Sequence, residues 1–139
     1  MGDDETEIGR TLAEYSQLCD DGRFDEWASL FTEDASFVVA DRVTEGRSAI
    51  RSYMAELQPA EARGKHVISN SLVELDGATA MVTTDYLFVR RGTEGLGILA
   101  AGRYYDRLVR DGRRWLFHRR TITMLGDPPP EDDGPGRRG

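Results

Sequence analysis

The chain has 139 residues, of which 39% are hydrophobic and 31% charged, and this composition predicts one soluble globular domain with a sizeable core. The net charge is −7 and no basic block is present, so nucleic-acid binding is disfavoured, because phosphate contacts need a concentrated basic surface. No apolar run approaches the ~20 residues that cross a bilayer, so no membrane partner is expected.

The single cysteine bears on both chemistry and compartment. Cys19 has no partner for an internal disulfide, and a zinc knuckle would need further cysteines. The acidic stretch MGDDETEIGR lacks the apolar segment of a secretory signal, so we expect a cytoplasmic protein. No spacing of His, Asp or Glu resembles a metal site, and neither a metal nor another cofactor is expected.

Helical spacing dominates the first 60 residues. Four apolar residues recur on one face and predict a helix over residues 5–20, namely Ile8, Leu12, Tyr15 and Cys19. Gly22 interrupts this pattern, after which FDEWASLF resumes helical spacing and TEDASFVVA predicts a short strand. A third helix is expected to start after Gly46 and to end before Pro59.

After residue 64 the pattern is that of strands. Four segments alternate with period two or run apolar, namely HVISNSLVEL, ATAMVTTDYLFVRR, GILAAGRYYDRLVRD and RRWLFHRRTITML. Turn signals at 76–77, 91–95 and 111–112 separate them and indicate antiparallel hairpins. The domain should cover residues 1–125, because the proline-rich, acidic segment 126–139 predicts a disordered tail.

This order of elements predicts an α+β fold in which a curved antiparallel sheet packs on three N-terminal helices. So few helices cannot cover a sheet of four long strands and a short one if it lies flat. We therefore expect the sheet to curl into a cone with an interior pocket at its open end, where a small apolar or cyclic ligand would bind.

Two polar residues interrupt the first long strand. His66 and Asn70 are expected to share one face of it, with only Ile68 between them. An ordinary core strand places apolar side chains on its buried face. The pattern therefore leaves two interpretations open: this face lines the pocket, or it meets water.

These elements resemble a known family. The chain carries Y-x4-D-x-G-x-F-x-x-W-x-x-L-F-x-x-D-A, then G-R-x-x-I, H-x3-N, G-R-Y-x-D and G-x-x-W, in that order. The set resembles the SnoaL-like branch of the nuclear-transport-factor-2-like superfamily over roughly residues 5 to 125. That superfamily includes dehydratases, dehydrochlorinases, isomerases, polyketide cyclases, epoxide hydrolases and non-catalytic binding modules, so the fold alone does not give the function.

The resemblance implies a catalytic pair. Asp20 and His66 match the aspartate and histidine base of hexachlorocyclohexane dehydrochlorinase, and scytalone dehydratase uses a similar pair. Tyr15 matches the oxyanion-donating tyrosine of ketosteroid isomerases, but no carboxylate stands near Val39, where the isomerase base would fall. Limonene-type epoxide hydrolases need an arginine where this chain has Thr83. The resemblance therefore favours β-elimination.

In this hypothesis a carboxylate bonded to one ring nitrogen of His66 stabilises the imidazolium that forms when the other nitrogen takes a proton. Four further residues are candidates for substrate binding, namely Tyr15, Asn70, Tyr105 and Arg103. The predicted function is a small cofactor-free lyase, dehydratase-like, acting on a cyclic or polyketide-like apolar substrate. The alternatives are a non-catalytic binding module or accessory subunit, and a polyketide cyclase or isomerase.

The assembly is also predicted from the strand pattern. The outer sheet face is expected to expose Val67, Val73 and Leu75, which would make an apolar patch on a monomer. Relatives often pair through this face. We therefore expect a homodimer, with a trimer as the alternative.

Overall fold

Three helices form in the first half of the chain, in a computed structural model that describes residues 3–131. They are α1 (Asp3–Asp20), α2 (Phe24–Ala28) and α3 (Arg47–Leu57), and a short 3₁₀ turn follows at Ala60–Ala62. Acidic residues fill the first turn of α1, where the positive end of the helix dipole stabilises their negative charges. The helix ends before Gly22, whose φ of +74° lies in the left-handed region.

Six strands follow the same order along the chain as in the sequence prediction, with one addition. They are β1 (Phe31–Val39), β2 (Arg42–Glu45), β3 (Lys65–Asp76), β4 (Thr79–Gly92), β5 (Gly95–Asp111) and β6 (Arg114–Met124). Sequence analysis missed β2, which has only four residues and buries only Thr44. Phe31 begins β1 and does not continue the second helix, because α2 already ends at Ala28.

The sheet order is β2-β1-β6-β5-β4-β3, and every neighbouring pair is antiparallel except β1 and β6. Helix α1 packs on β3 and β6, and α3 packs on β1 and β2, so the helices cover one face. Register shifts interrupt the β1–β6, β3–β4, β4–β5 and β5–β6 ladders, and such bulges bend strands. The predicted α+β architecture of three helices on a curved sheet is confirmed. The sheet is unclosed and mostly antiparallel, and the parallel β1–β6 pair is its one departure from the predicted antiparallel pairing.

The core lies between the helices and the inner sheet face. Along β4, even-numbered residues from Ala80 to Phe88 are buried, and the odd-numbered residues between them are more exposed on the outer face. Four large aromatic residues of the core are fully buried, namely Trp27, Phe31, Phe37 and Trp115. The rings of Tyr15, Trp27, Phe31 and Phe37 pack on one another, and Nε1 of Trp115 donates to Asp4 of α1 at 3.1 Å.

A bulge in β3 changes which residues face outward. Ser69 pairs with Asp85, but the register then shifts so that Leu72 pairs with Thr83. Val73 consequently packs against the core, so its predicted outward position is wrong. Leu75 pairs with inward-facing Ala80 and is exposed only at the sheet edge, whereas Val67 lies on the outer face as predicted.

The described chain continues beyond the last strand. Asp127 accepts a hydrogen bond from the backbone N–H of Met124 at 2.9 Å, and residues 128–130 lie against the strand ends of β1 and β6. The predicted disordered tail starts at residue 126, and its last eight residues, 132–139, lie outside the described residues. Within residues 3–131, no helix is both long enough and apolar enough to cross a membrane.

Candidate active site

Asp20 is the last residue of α1, and its carboxylate links this helix to the start of β3 through hydrogen bonds with His66. One carboxylate oxygen lies 2.6 Å from Nδ1 of His66. The backbone N–H of His66 donates to both carboxylate oxygens, at 3.2 and 3.1 Å. The Asp20 side chain is only 4% exposed and is therefore shielded from water. Both of its carboxylate oxygens are instead bonded to one residue, His66.

His66 occupies an inward position near the start of β3, opposite Phe88. Its ring centroid lies 4.7 Å from that of Phe88 and 6.2 Å from that of Tyr15, which it meets edge to face. Because an ionised Asp20 only accepts hydrogen bonds, Nδ1 carries the proton in the neutral ring and Nε2 keeps its lone pair. Nε2 has no hydrogen-bond partner among residues 3–131, and the side chain is 11% exposed.

Tyr15 lies beside the pair but is packed deep in the core. Its ring contacts those of Trp27, Phe31 and Phe117, and only 1% of the residue is exposed. Burial raises the pKa of Tyr15 well above its usual range, the neighbouring Tyr104 adds to this, and Arg120 opposes it. The phenol therefore stays neutral, and its packing favours a supporting role over contact with a ligand.

Sequence analysis missed a buried ion pair beneath Tyr15. Arg120 donates from Nε and Nη2 to the two carboxylate oxygens of Asp106, both at 2.7 Å. Its guanidinium carbon lies 4.2 Å from the ring centroid of Tyr15 and 3.7 Å from that of Tyr104. Tyr104 in turn stacks on Tyr86 at 4.5 Å. The side chains of Tyr86, Tyr104, Arg120 and Tyr15 thus form a layered stack from β4 to α1. This stack supports the ring of Tyr15 beside His66.

The two charges of this pair influence each other. Burial raises the pKa of Asp106 and Arg120 opposes that shift, while Asp106 holds the pKa of Arg120 high against the effect of burial. The signal in the sequence was the period-two spacing of Tyr104 and Asp106 on β5. It becomes usable only when the inner face of that strand is known.

Three predicted binding residues lie on the outer face, so the prediction that Asn70 shares a strand face with His66 is wrong. Asn70 has a φ of +56° at the β3 bulge, and its side-chain amide donates to Asp85 at 3.0 Å. Arg103 donates to the other oxygen of Asp85 at 2.6 Å, and Tyr105 follows one residue after inward-facing Tyr104. Hydrogen bonds from Arg103 and Asn70 lower the pKa of Asp85.

Three concave regions on the surface lie away from the pair. The first, of about 780 Å³, lies between the start of α3 and Asp25. The second, of about 420 Å³, lies at the β4–β5 hairpin, and the third, of about 560 Å³, lies under Pro128–Pro130. Neither Asp20 nor His66 lines any of the three. Within residues 3–131, no three His, Cys, Asp or Glu side chains are grouped to hold a metal ion.

Solved structures share this architecture. Rv3472 of Mycobacterium tuberculosis, a protein of unknown function, is 29% identical, with a TM-score of 0.82 over 87% of this chain and 71% of that chain. A protein named as a scytalone dehydratase candidate, from Novosphingobium aromaticivorans, is 26% identical, with a TM-score of 0.79 over 90% and 89% of the two chains. A protein from Catenulispora acidiphila in complex with S-DNPA is 22% identical, with a TM-score of 0.79 over 89% and 95%.

No protein among those with curated descriptions matches the chain. The sequence model of the SnoaL-like domain, in contrast, matches residues 2–121, which include α1, all six strands but the last residues of β6, and both members of the Asp20–His66 pair. The predicted resemblance is confirmed. The chain belongs to the SnoaL-like domain family.

Proposed function

We propose that the chain is a small cofactor-free lyase of the dehydratase type, in which His66 is the general base and Asp20 its positioning carboxylate. The observation that carries this proposal is the 2.6 Å contact between Asp20 and Nδ1 of His66, which leaves Nε2 without a partner among the described residues. A ring nitrogen with a free lone pair beside a buried carboxylate suits removal of a proton from carbon.

The reaction that this pair suits is a β-elimination. Nε2 of His66 takes a proton from a carbon next to a carbonyl, and the electrons of that C–H bond form the new double bond. The leaving group departs from the adjacent carbon with its bonding electrons. When the leaving group is a hydroxyl, the imidazolium returns the proton to it, so that water leaves and His66 is neutral again.

The surroundings of the pair favour this chemistry. Asp20 stabilises the imidazolium without needing to take a proton itself. Phe88 packs beside the ring and Tyr15 packs at its edge, so the pair has apolar walls. These walls suit a cyclic, largely apolar substrate, and the name of the Novosphingobium structure points to the same class of reaction.

The test is turnover of a panel of cyclic β-hydroxyketones, followed by enone absorbance and mass spectrometry. We expect His66→Ala to lower the rate by roughly 10²-fold or more and Asp20→Asn to be strongly impaired, since an amide cannot stabilise the imidazolium. Asn70→Ala is the matched control and should stay near wild type, because Asn70 lies on the outer face. Full activity of His66→Ala on a turned-over substrate contradicts the proposal.

The second candidate is a non-catalytic binding module or accessory subunit. It is favoured by the position of the pair outside the three concave regions and by the aromatic packing around Tyr15. A ligand that binds equally well to the wild type and to Asp20→Asn, and that the wild type never converts, would support this candidate over the lyase.

A further inference from the structure

Two arginines meet the same loop just before His66. Nε of Arg63 donates to the backbone carbonyl of Gln58 at 3.0 Å, and Nη1 of Arg90 donates to the backbone carbonyl of Ala62 at 3.4 Å. Gly64 packs so closely on the backbone of Val89 that any side chain there would collide with it. This close approach holds the loop beside the end of β4, which carries Arg90.

The guanidinium of Arg63 is held in place from several sides. It lies 5.6 Å from the ring centroid of Phe24 and packs flat on Gly22, where a Cβ would collide with it. With Nε bound to the Gln58 carbonyl, the two Nη groups keep their N–H donors and have no acceptor among the described residues. Such a fixed fork is ready to bind an oxyanion at little cost in side-chain entropy.

Both arginines are linked to the Asp20–His66 pair through residues that adjoin it. Gly22, on which Arg63 packs, comes two residues after Asp20, and Arg90 comes two residues after Phe88, whose ring lies against His66. The charge of Arg63 also acts on the last turn of α1. Burial and then Asp20 raise the pKa of Cys19 to about 12, and Arg63 opposes this rise.

No carboxylate neutralises these two charges. Other arginines form ion pairs, such as Arg51 with Asp25 and Arg120 with Asp106, but neither Arg63 nor Arg90 has one within residues 3–131. The carboxylate oxygens of Asp20 are bonded to His66 and to neither arginine. Two unpaired cations beside the pair, in a chain of net charge −7, form a local positive site.

We propose that Arg63 and Arg90 form a subsite for a carboxylate or phosphate group of the ligand that binds beside the Asp20–His66 pair. This inference rests on the proposed function, which places the acidic C–H bond of the ligand beside His66. It adds that the substrate is an apolar ring system with an anionic group remote from the acidic C–H bond. The backbone carbonyls of Gln58 and Ala62 position the two guanidinium groups.

The test compares three probes of the same ring system by isothermal titration calorimetry, namely 2-naphthoate, 2-naphthyl phosphate and the neutral 2-naphthamide. We expect at least one anionic probe to bind about tenfold or more tightly than the amide, which corresponds to about 1.4 kcal/mol. Its affinity should fall as salt is added, because partly exposed charges are screened. Stronger binding of the phosphate or of the carboxylate identifies which group the subsite takes.

Charge-removing variants locate the effect. Arg63→Gln and Arg90→Gln should each weaken the anionic probe by about fivefold or more and leave the amide unchanged. Arg63→Lys, which keeps the charge and guards against a folding defect, should bind the anion better than Arg63→Gln. Arg113→Gln is the matched control, since Arg113 is an exposed arginine in the turn at the other end of β5 and β6.

Equal affinity of the charged and neutral probes overturns the inference, and so does an equal loss for both probes in the Gln variants. Failure of all three probes to bind at concentrations up to about 5 mM also overturns it. The proposed function fails in a different way. In that case His66→Ala would keep its turnover while the preference for the anionic probe, and its dependence on Arg63 and Arg90, would remain.

Discussion

Cys19 stands next to Asp20 in the last turn of α1 and is fully buried. Burial, followed by the charge of Asp20, raises the pKa of its thiol to about 12. The same carboxylate thus has two neighbours: it disfavours a second negative charge at Cys19, and one of its oxygens lies 2.6 Å from Nδ1 of His66. At the residue scale, Asp20 therefore disfavours a cysteine nucleophile beside the proposed histidine base.

We predict that Cys19 does not react with a thiol reagent in the folded protein. A thiol whose pKa is about 12 is almost entirely protonated at pH 8, and the thiolate is the reactive form. The measurement is the rate of reaction with DTNB in buffer and in concentrated urea. Labelling should be complete in urea and negligible without it, and equally rapid labelling in both would show that the end of α1 is open.

Single residues also show where sequence reasoning works and where it stops. The contact between Asp20 and His66 was predictable from the family resemblance, because both residues match the paired aspartate and histidine of related enzymes. The position of Asn70 was not, because period-two alternation holds only until a bulge. Asn adopts a positive φ, here +56°, more readily than most residues, but that preference alone does not locate a bulge. Tyr105 and Arg103 failed for a related reason, since alternation does not say which face of β5 is inner.

At the scale of elements, the Asp106–Arg120 ion pair links the neighbouring strands β5 and β6 on their buried face. Both residues are almost fully buried, and their register places them directly opposite each other. Two tyrosine rings cover the guanidinium, one from α1 and one from β5. The pair therefore connects the sheet to α1, the helix that carries Asp20. A substitution in the pair should alter the packing of α1 beside Asp20 and His66.

Removing one partner of this pair should destabilise the fold. We predict that Asp106→Asn lowers the free energy of unfolding by about 3–5 kcal/mol, because it leaves a buried charge without its partner. Urea denaturation gives the value. The double variant Asp106→Leu/Arg120→Met is the control and should recover most of the loss, since an apolar pair can replace a buried ion pair. A single variant as stable as the wild type would contradict this account.

At the scale of the whole molecule, the fold was largely predictable because its long strands alternate over many residues. The four-residue β2 was not, since one inward residue, Thr44, gives no periodic signal. Within residues 3–131, no helix covers the outer sheet face. This face exposes an apolar patch of Val67, Leu87, Leu96 and Ile98, which are 47%, 36%, 70% and 65% exposed. We name these four residues the outer patch. Such a surface suits burial against a second copy of the chain.

We predict a homodimer formed through the outer patch. Light scattering at micromolar concentration should give about 31 kDa, twice the chain mass of 15.6 kDa. Leu87→Lys should shift the mass toward the monomer, because it places a charge within the patch. Val43→Lys is the control, since Val43 is 52% exposed on β2 and lies outside the patch. A wild-type species of one chain mass would contradict the prediction.

The central claim is that Nε2 of His66 removes a proton from carbon, and hydrogen exchange measures that step directly. A cyclic ketone that binds the protein is incubated in D₂O, and NMR follows the loss of its α-proton signal with wild type, with His66→Gln and without protein. The account predicts that the wild type accelerates exchange by roughly 10²-fold or more over the variant, whose amide cannot accept a proton usefully. Equal exchange rates for wild type and His66→Gln would contradict it.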